Sequence, residues 1–270
     1  LGAFSSVVGD AGVTVARRAP LAITTGNSFT VAVTIRSIEQ AAGLMGIELA
    51  SATACVIGAT GSIGSILSLL LAEKVKRLIL VSPRPERLVT VSQKLAERHP
   101  SLSIEAGRRA TSWLPEADLV VTTTSAIEPV VDVSALKPGA VVCDVARPPD
   151  VSEEAAAQRP DVLFIESGEV QLLPGAEVNY DLGLPPDIIY GCLAETILLA
   201  LERRYEHFTL GREISEEKVR AVDGLGKKHG LHLAAVRSFG REVTEEAVRA
   251  IKRQAEQSRG EEASDGAKPS

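Results

Sequence analysis

Aromatic residues are scarce in this sequence, and a broad excess of positive charge is missing. Phe, Trp and Tyr together make up 3% of the 270 residues, and the formal net charge at pH 7 is -6. Proteins that bind nucleic acids rely on basic surfaces and on aromatic side chains that stack on bases. We therefore expect no nucleic-acid partner.

Cysteine and long apolar runs are also in short supply. The cysteines at 55, 143 and 192 have neither the spacing of a zinc site nor the even number of a disulfide framework, so reduced thiols are expected. The four histidines show no metal-ligand spacing beyond the close pair His229 and His232, which predicts no structural metal. The apolar run 63–72 is too short to span a bilayer, and no basic-plus-apolar leader opens the chain. We expect a cytoplasmic protein without a transmembrane segment.

Aliphatic side chains are abundant, and their pattern alternates between strand and helix. Hydrophobic residues make up 45% of the chain. Strands are expected at 53–57, 77–81, 101–105, 119–122, 140–143 and 162–165, with helices after 61 and over 86–98. This alternation predicts an α/β fold, a Rossmann-type doubly wound parallel sheet.

The flanking regions differ in pattern from this middle part. Residues 1–46 contain two strand-like runs, 13–16 and 21–24, and a helix from Asn27 or Ser28 to about Gly46; we interpret them as part of a substrate domain whose beginning is missing. Residues 47–185 form the predicted nucleotide domain. Residues 186–257 are predicted to be helical, at 188–205, 215–229 and 243–257, and residues 258–270 to be disordered.

A glycine-rich turn follows the first strand of the nucleotide domain. Its candidate cofactor-binding residues are Gly58, Thr60, Gly61, Ser62, Ile63 and Gly64. Glycines here permit a sharp turn and a close approach to a pyrophosphate, which the following helix N-terminus binds. Thr60 stands where the usual fingerprint has its second glycine. The alternative is a turn that merely connects strand and helix.

The end of the second strand favours NADPH over NADH. Where NAD-dependent enzymes have an acidic residue, this chain has Ser82, Arg84 and Arg87, and guanidinium groups suit a 2′-phosphate. The alternative is that these arginines are solvated loop residues. Further along, Thr123 and Thr124 are placed to contact the nicotinamide ribose, with a plain polar loop as the alternative. Asp144 and Arg147 follow the strand that ends at Cys143 and are expected at the same edge of the sheet as the threonines. They either orient substrate or pair with each other.

Cys192 is the candidate nucleophile. It lies about two turns into the helix predicted to begin after Asp187, where the helix macrodipole favours a thiolate. A buried structural cysteine is the usual alternative, and it is our interpretation of Cys55 and Cys143. His207 and His229, at predicted helix ends among charged residues, are interpreted as surface histidines.

Several longer stretches resemble the acyl-acyl carrier protein reductases that form fatty aldehydes in cyanobacteria. The stretches are 2–12, 24–28, the glycine turn at 56–64, 192–195, 207–208, 211–212 and 228–230. The resemblance implies that Cys192 attacks an acyl thioester, and that NADPH then reduces the acyl-enzyme to an aldehyde. It implies that Asp10, Asn27 and Ser28 orient the acyl carbonyl. The partners implied are an acyl carrier protein or coenzyme A thioester and an aldehyde-consuming enzyme.

The chain departs from that family at 145–149, where the family has a more neutral turn, and matches poorly at 171–180. Two other interpretations therefore stay open. One is a dehydrogenase resembling those for shikimate or amino acids, which transfers hydride directly and needs no cysteine. The other is an NADPH-binding sensor or scaffold without chemistry.

Overall fold

The computed structural model describes residues 1–2, 9–126, 130–146 and 148–265, with side chains described as far as residue 261. Its helices are α1 Val13–Arg18, α2 Asn27–Met45, α3 Ser62–Ala72, α4 Pro85–Arg98, α5 Glu153–Ala156, α6 Gly191–Leu201, α7 Glu216–His229 and α8 Glu245–Asp265. Its strands are β1 Thr53–Ile57, β2 Arg77–Val81, β3 Ser103–Gly107, β4 Leu119–Thr122, β5 Val141–Asp144, β6 Leu163–Glu166, β7 Glu169–Gln171, β8 Ile188–Tyr190, β9 His232–Leu233, β10 Arg237–Ser238 and β11 Arg241–Glu242.

The main sheet has eight strands in the order β11-β10-β6-β5-β4-β1-β2-β3. Strands β1 to β6 are parallel, and β10 and β11 add an antiparallel edge. The order reverses between β1 and β4, which is where doubly wound sheets bind ligands at the carboxyl ends of their strands. The predicted Rossmann-type fold is confirmed.

Side chains of β1 alternate between two apolar cores, as a strand requires. Ala54 and Val56 belong to the larger core, which α2, α3, α6 and α7 cover. Cys55 and Ile57 belong to the smaller core on the other face, which is covered mostly by short turns rather than long helices. Helix α2 is buried along most of its length and contacts α3, α6, α7 and β5. It therefore joins the nucleotide domain to the C-terminal helices.

The segment before α2 differs from its prediction. The β-branched side chains of residues 13–16 predict a strand, but these residues form α1, and residues 21–24 belong to no strand although the Ile23 carbonyl accepts the Phe208 amide at 3.2 Å. The Asp10 carboxylate accepts the Thr14 N–H (2.9 Å) and so caps the start of α1. Intrinsic propensity is a weak prior, and a capped first turn overrides it here.

Two corrections concern the C-terminal part. The predicted helix at 188–205 begins only at Gly191, because Ile188–Tyr190 pairs with β7 in a small antiparallel sheet, β8-β7-β9. Helix α8 extends to Asp265, into the stretch predicted to be disordered. Burial of Ala255 and two hydrogen bonds from the Arg259 guanidinium to the Pro138 carbonyl (3.1 and 3.3 Å) hold its last turns.

Candidate active site

The glycine turn after β1 has the backbone geometry that only glycine allows. Gly58 has φ +89°, and a Cβ there would lie 2.7 Å from the Thr123 hydroxyl. A Cβ on Gly64 would overlap the Gly58 carbonyl, so the first turn of α3 packs directly on the loop. Glycine at both positions therefore lets the helix start come close to the sheet edge.

The N-terminus of α3 is open toward this edge. Among the described residues no side chain caps it, so the amides of Ser62 and Ile63 are free to face an anion. Thr60 Oγ1 lies 2.6 Å from Ser82 Oγ and links the glycine turn to the end of β2. Arg84 and Arg87 are exposed beside it. This cradle fits the pyrophosphate of a dinucleotide.

The predicted threonines have structural partners. The Thr123 hydroxyl donates to the carbonyls of Ile57 (3.1 Å) and Gly58 (3.3 Å). The Thr124 hydroxyl donates to Asp150 at 2.5 Å. Both hydroxyls therefore stabilise the loops around the turn in this structure, and their contact with a cofactor stays a prediction.

Asp144 also has a structural role. It accepts hydrogen bonds from the Thr122 hydroxyl (2.8 Å) and from the amides of Ala146 (2.9 Å), Asp150 (2.8 Å) and Val151 (3.1 Å). Burial raises the pKa of its carboxyl. Because both oxygens are occupied, Asp144 holds the loop after β5; Arg147, its suggested partner, lies outside the described residues.

Cys192 is the second residue of α6, closer to the helix start than the two turns predicted. Cys192 packs against Gly26 so closely that a Cβ added to Gly26 would overlap the Cα and Cβ of Cys192. Gly26 has φ +76° and is the N-cap of α2. The positive ends of α2 and α6 therefore meet at Cys192, which is half-buried.

The helix macrodipole was expected to favour a thiolate at Cys192, but burial has the larger effect. Burial raises the pKa of the thiol, outweighing the amides of Leu193 and Cys192, which lower it, while the nearby Glu195 charge raises it further. The resting group is a thiol, since desolvation penalises the thiolate. The helix start reduces this penalty without removing it.

Glu195 is a site residue that the sequence analysis did not single out. It is fully buried, and its carboxylate accepts hydrogen bonds from the Thr24 hydroxyl, the Thr209 hydroxyl (2.8 Å) and the Phe29 amide (2.9 Å). Phe29 is in the first turn of α2, so a carboxylate on α6 caps the neighbouring helix. The signal was the Cys-x-x-Glu spacing, which puts both side chains on adjacent positions of one helix face.

The three substrate-orienting candidates separate in the structure. Ser28 is buried, with its Oγ 2.7 Å from the Thr209 Oγ1, and so belongs to the Glu195 network. Asn27 is buried next to Gly26, and its Nδ2 has no hydrogen-bond partner among the described residues. Asp10 is exposed at the start of α1, where its carboxylate is bonded to Thr14. The structure thus brings Asn27 and Ser28 to the Cys192 region through α2.

The histidines make local contacts. His207 Nδ1 accepts the Ile23 amide at 3.0 Å, and His229 Nε2 lies 2.5 Å from a Glu202 oxygen. Within the described ranges, no three His, Cys, Asp or Glu side chains are grouped as a metal site requires. In that same part of the chain no helix is long and apolar enough to cross a membrane.

Comparison with curated proteins gives two relatives over most of the chain. The chain is 31% identical over 259 residues to the aminotransferase PigE of Serratia sp., covering 94% of this chain and 30% of that protein. It is 32% identical over 225 residues to a long-chain acyl-[acyl-carrier-protein] reductase of Synechococcus elongatus, covering 79% of this chain and 62% of that protein. The chain therefore spans less than two thirds of either relative.

A solved structure of quinate dehydrogenase from Corynebacterium glutamicum in complex with NAD is 19% identical and covers 50% of each chain, with a TM-score of 0.40. The family model for shikimate / quinate 5-dehydrogenase matches residues 27–166, from the start of α2 to the end of β6. Because this match covers just over half of the chain and includes the whole dinucleotide edge, the protein belongs to the shikimate / quinate 5-dehydrogenase family of oxidoreductases.

Proposed function

We propose that this protein uses NADPH to reduce an acyl thioester, carried by an acyl carrier protein or coenzyme A, to an aldehyde through an acyl-enzyme on Cys192. The observation that carries the proposal is the position of Cys192 where the positive ends of α2 and α6 meet. The similarity to the long-chain acyl reductase, which extends beyond the family match to this region, supports it.

In the first half-reaction the Cys192 sulfur attacks the acyl carbonyl carbon. A new sulfur–carbon bond forms, the bond to the carrier sulfur breaks, and the Cys192 proton leaves with the carrier thiol. Negative charge develops on the carbonyl oxygen during the attack. The donors that would stabilise it are the amides of Cys192 and Leu193 in the first turn of α6 and Asn27 Nδ2, which has no hydrogen-bond partner among the described residues.

The glycine turn and α3 would hold the cofactor across the same sheet edge, with Arg84 and Arg87 beside its 2′-phosphate. When bound, NADPH supplies the hydride that converts the thioester carbon to an aldehyde carbon. Cys192 is then the leaving group: its bond to carbon breaks, and it regains a proton from solvent.

An exposed apolar stripe on α6 favours an acyl chain as substrate. Leu193, Ile197 and Leu201 are exposed and recur every four residues, so they share one face that begins beside Cys192. An aliphatic chain attached to Cys192 could cover this face and remove it from water. A charged substrate such as a hydroxy acid gains nothing from it.

The second candidate is direct hydride transfer to a small carbonyl compound. The family match favours it, because that match ends at residue 166 and does not include Cys192. Oxidoreductase activity that survives Cys192→Ala would support this alternative.

Intact mass spectrometry tests the proposal. Wild-type protein mixed with palmitoyl-coenzyme A without NADPH should gain one acyl group, and Cys192→Ala should gain none. Cys143→Ala is the matched control, since Cys143 is buried within β5, and it should still be acylated. An adduct on Cys192→Ala, or none on wild type with several acyl lengths and carriers, would overturn the covalent route.

A further inference from the structure

An open cavity of about 610 Å³ lies at the carboxyl ends of β2 and β3, outside the glycine turn. Pro83, Gly107, Arg108, Arg109, Ser112 and Trp113 line it. Strands β2 and β3 are paired in parallel with Val81 opposite Gly107, and the Ser82 amide donates to the Gly107 carbonyl at 3.1 Å. The loop after β3 therefore stands directly beside Ser82 and Arg84.

The cavity wall is built into the fold. Ala110 and Leu114 are buried in the smaller core, and the amides of Trp113 (2.8 Å) and Leu114 (3.1 Å) donate to the Ala110 carbonyl. The Arg77 guanidinium lies 5.9 Å from the centre of the Trp113 ring and is paired with Glu105 at 2.6 Å. These contacts fix the loop and place the indole against the cavity.

The charges at this place are uncompensated. Arg84, Arg87, Arg108 and Arg109 are exposed, and their guanidinium groups make no hydrogen bond or ion pair with the described residues. Segments 81–87 and 107–113 contain these four arginines and one acidic residue, Glu86. Arg77, by contrast, is neutralised by its carboxylates. Arg108 and Arg109 line the cavity together with the indole, and Arg84 and Arg87 are on the neighbouring loop; this combination suits a phosphorylated aromatic ligand.

We propose that Arg108, Arg109 and Trp113 form the subsite for the adenosine 2′-phosphate end of NADPH, so that the loop after β3 determines cofactor choice together with Arg84 and Arg87. A dinucleotide whose pyrophosphate lies on α3 places its adenosine ribose at the end of β2. The β2–β3 cavity continues from that point. Arg108 and Arg109 bind the phosphate, and Trp113 contacts the adenosine. The inference rests on the proposed use of NADPH, but not on the acyl chemistry.

Trp113 is the one tryptophan of the chain, so its fluorescence reports on this cavity. Titration with adenosine 2′,5′-bisphosphate should change the emission at about tenfold lower concentration than adenosine 5′-monophosphate does, because the two ligands differ in the 2′-phosphate. Arg108→Ala/Arg109→Ala should remove that difference. Arg17→Ala/Arg18→Ala is the control and should preserve it, because these adjacent arginines are also exposed and their guanidinium groups make no hydrogen bond or ion pair with the described part of the chain.

Calorimetry with NADPH and NADH separates the two hypotheses. If wild type prefers NADPH but Arg108→Ala/Arg109→Ala keeps the full preference, the subsite is wrong and the proposed cofactor stands. If wild type binds both nucleotides equally, the NADPH assignment itself fails. If Arg108→Ala/Arg109→Ala loses affinity for NADPH and NADH to the same extent, the inference is also overturned. Such a result would show that the two arginines do not recognise the 2′-phosphate.

Discussion

At the scale of the residue, the site depends on two buried titratable groups, the Cys192 thiol and the Glu195 carboxyl. Cys192 could be selected from the sequence by its motif. Its raised pKa could not, because that results from the packing of α2 on α6. Glu195 was missed for a similar reason: its partners Thr24 and Thr209 are 171 and 14 residues away in the chain.

The Glu195 carboxyl makes the stability of the protein depend on pH. Burial raises its pKa above the ordinary value of 4.5, although its hydrogen bonds oppose this. Its contribution to stability is therefore complete below about pH 4.5 and is lost as pH rises through the folded-state pKa. Urea unfolding should show wild type losing free energy of unfolding relative to Glu195→Gln above pH 4.5. The pKa of Glu202 is instead lowered by Lys228 and His229. As pH rises toward 4.5, wild type should therefore gain free energy of unfolding relative to Glu202→Gln.

The same charge acts on Cys192. Because burial and then Glu195 raise the pKa of this thiol, iodoacetamide should react with it more slowly at pH 7.5 than with free cysteine. Glu195→Gln should accelerate the reaction and shift its pH profile to lower pH. Cys55, with a pKa raised to about 12 by burial, is the internal control and should stay unmodified in the native protein. An unshifted profile in Glu195→Gln would exclude this electrostatic coupling.

At the scale of the element, the sequence predicted the longer parallel strands and their helices well and the smaller elements poorly. Strands such as β1 and β4 are buried apolar runs, so local pattern suffices to locate them. Strands β7 and β8 have three residues each and exist because they pair with each other. Pairing across 17 or more residues leaves no periodic pattern, and Ile188–Tyr190 was therefore interpreted as helix.

The contact between α2 and α6 can be tested at Gly26. Alanine there would overlap Cys192 and would need φ +76°, so Gly26→Ala should lower the free energy of unfolding by about 1–3 kcal/mol or more. It should also abolish acylation of Cys192. Gly43→Ala, on the open face of the same helix, meets nothing within 4 Å and should stabilise the protein by up to about 1 kcal/mol. Equal effects of the two changes would argue against a tight contact.

At the scale of the whole molecule, α8 packs the C-terminal part of the chain against the loop that precedes β5. Arg259→Ala removes the hydrogen bonds to Pro138, and a loss of about 1 kcal/mol would lower Tm by about 2–4 °C in a chain of this size. Arg253→Ala, exposed on the same helix, should leave Tm unchanged. Equal Tm values for the two variants in a thermal melt would show that the last turns of α8 do not contribute to stability.

The antiparallel hairpin β10–β11 has a consequence for self-association. Parallel strands at an open edge offer unpaired amides and carbonyls to other chains, and such edges promote aggregation. Here β10 pairs with the last residue of β6, Arg237 opposite Glu166, and the sheet then ends at β11, two exposed residues of opposite charge, Arg241 and Glu242. Another chain could add very few backbone hydrogen bonds there before meeting both charges. At the carboxyl end of β6 the hairpin thus limits edge-to-edge pairing between copies of the chain.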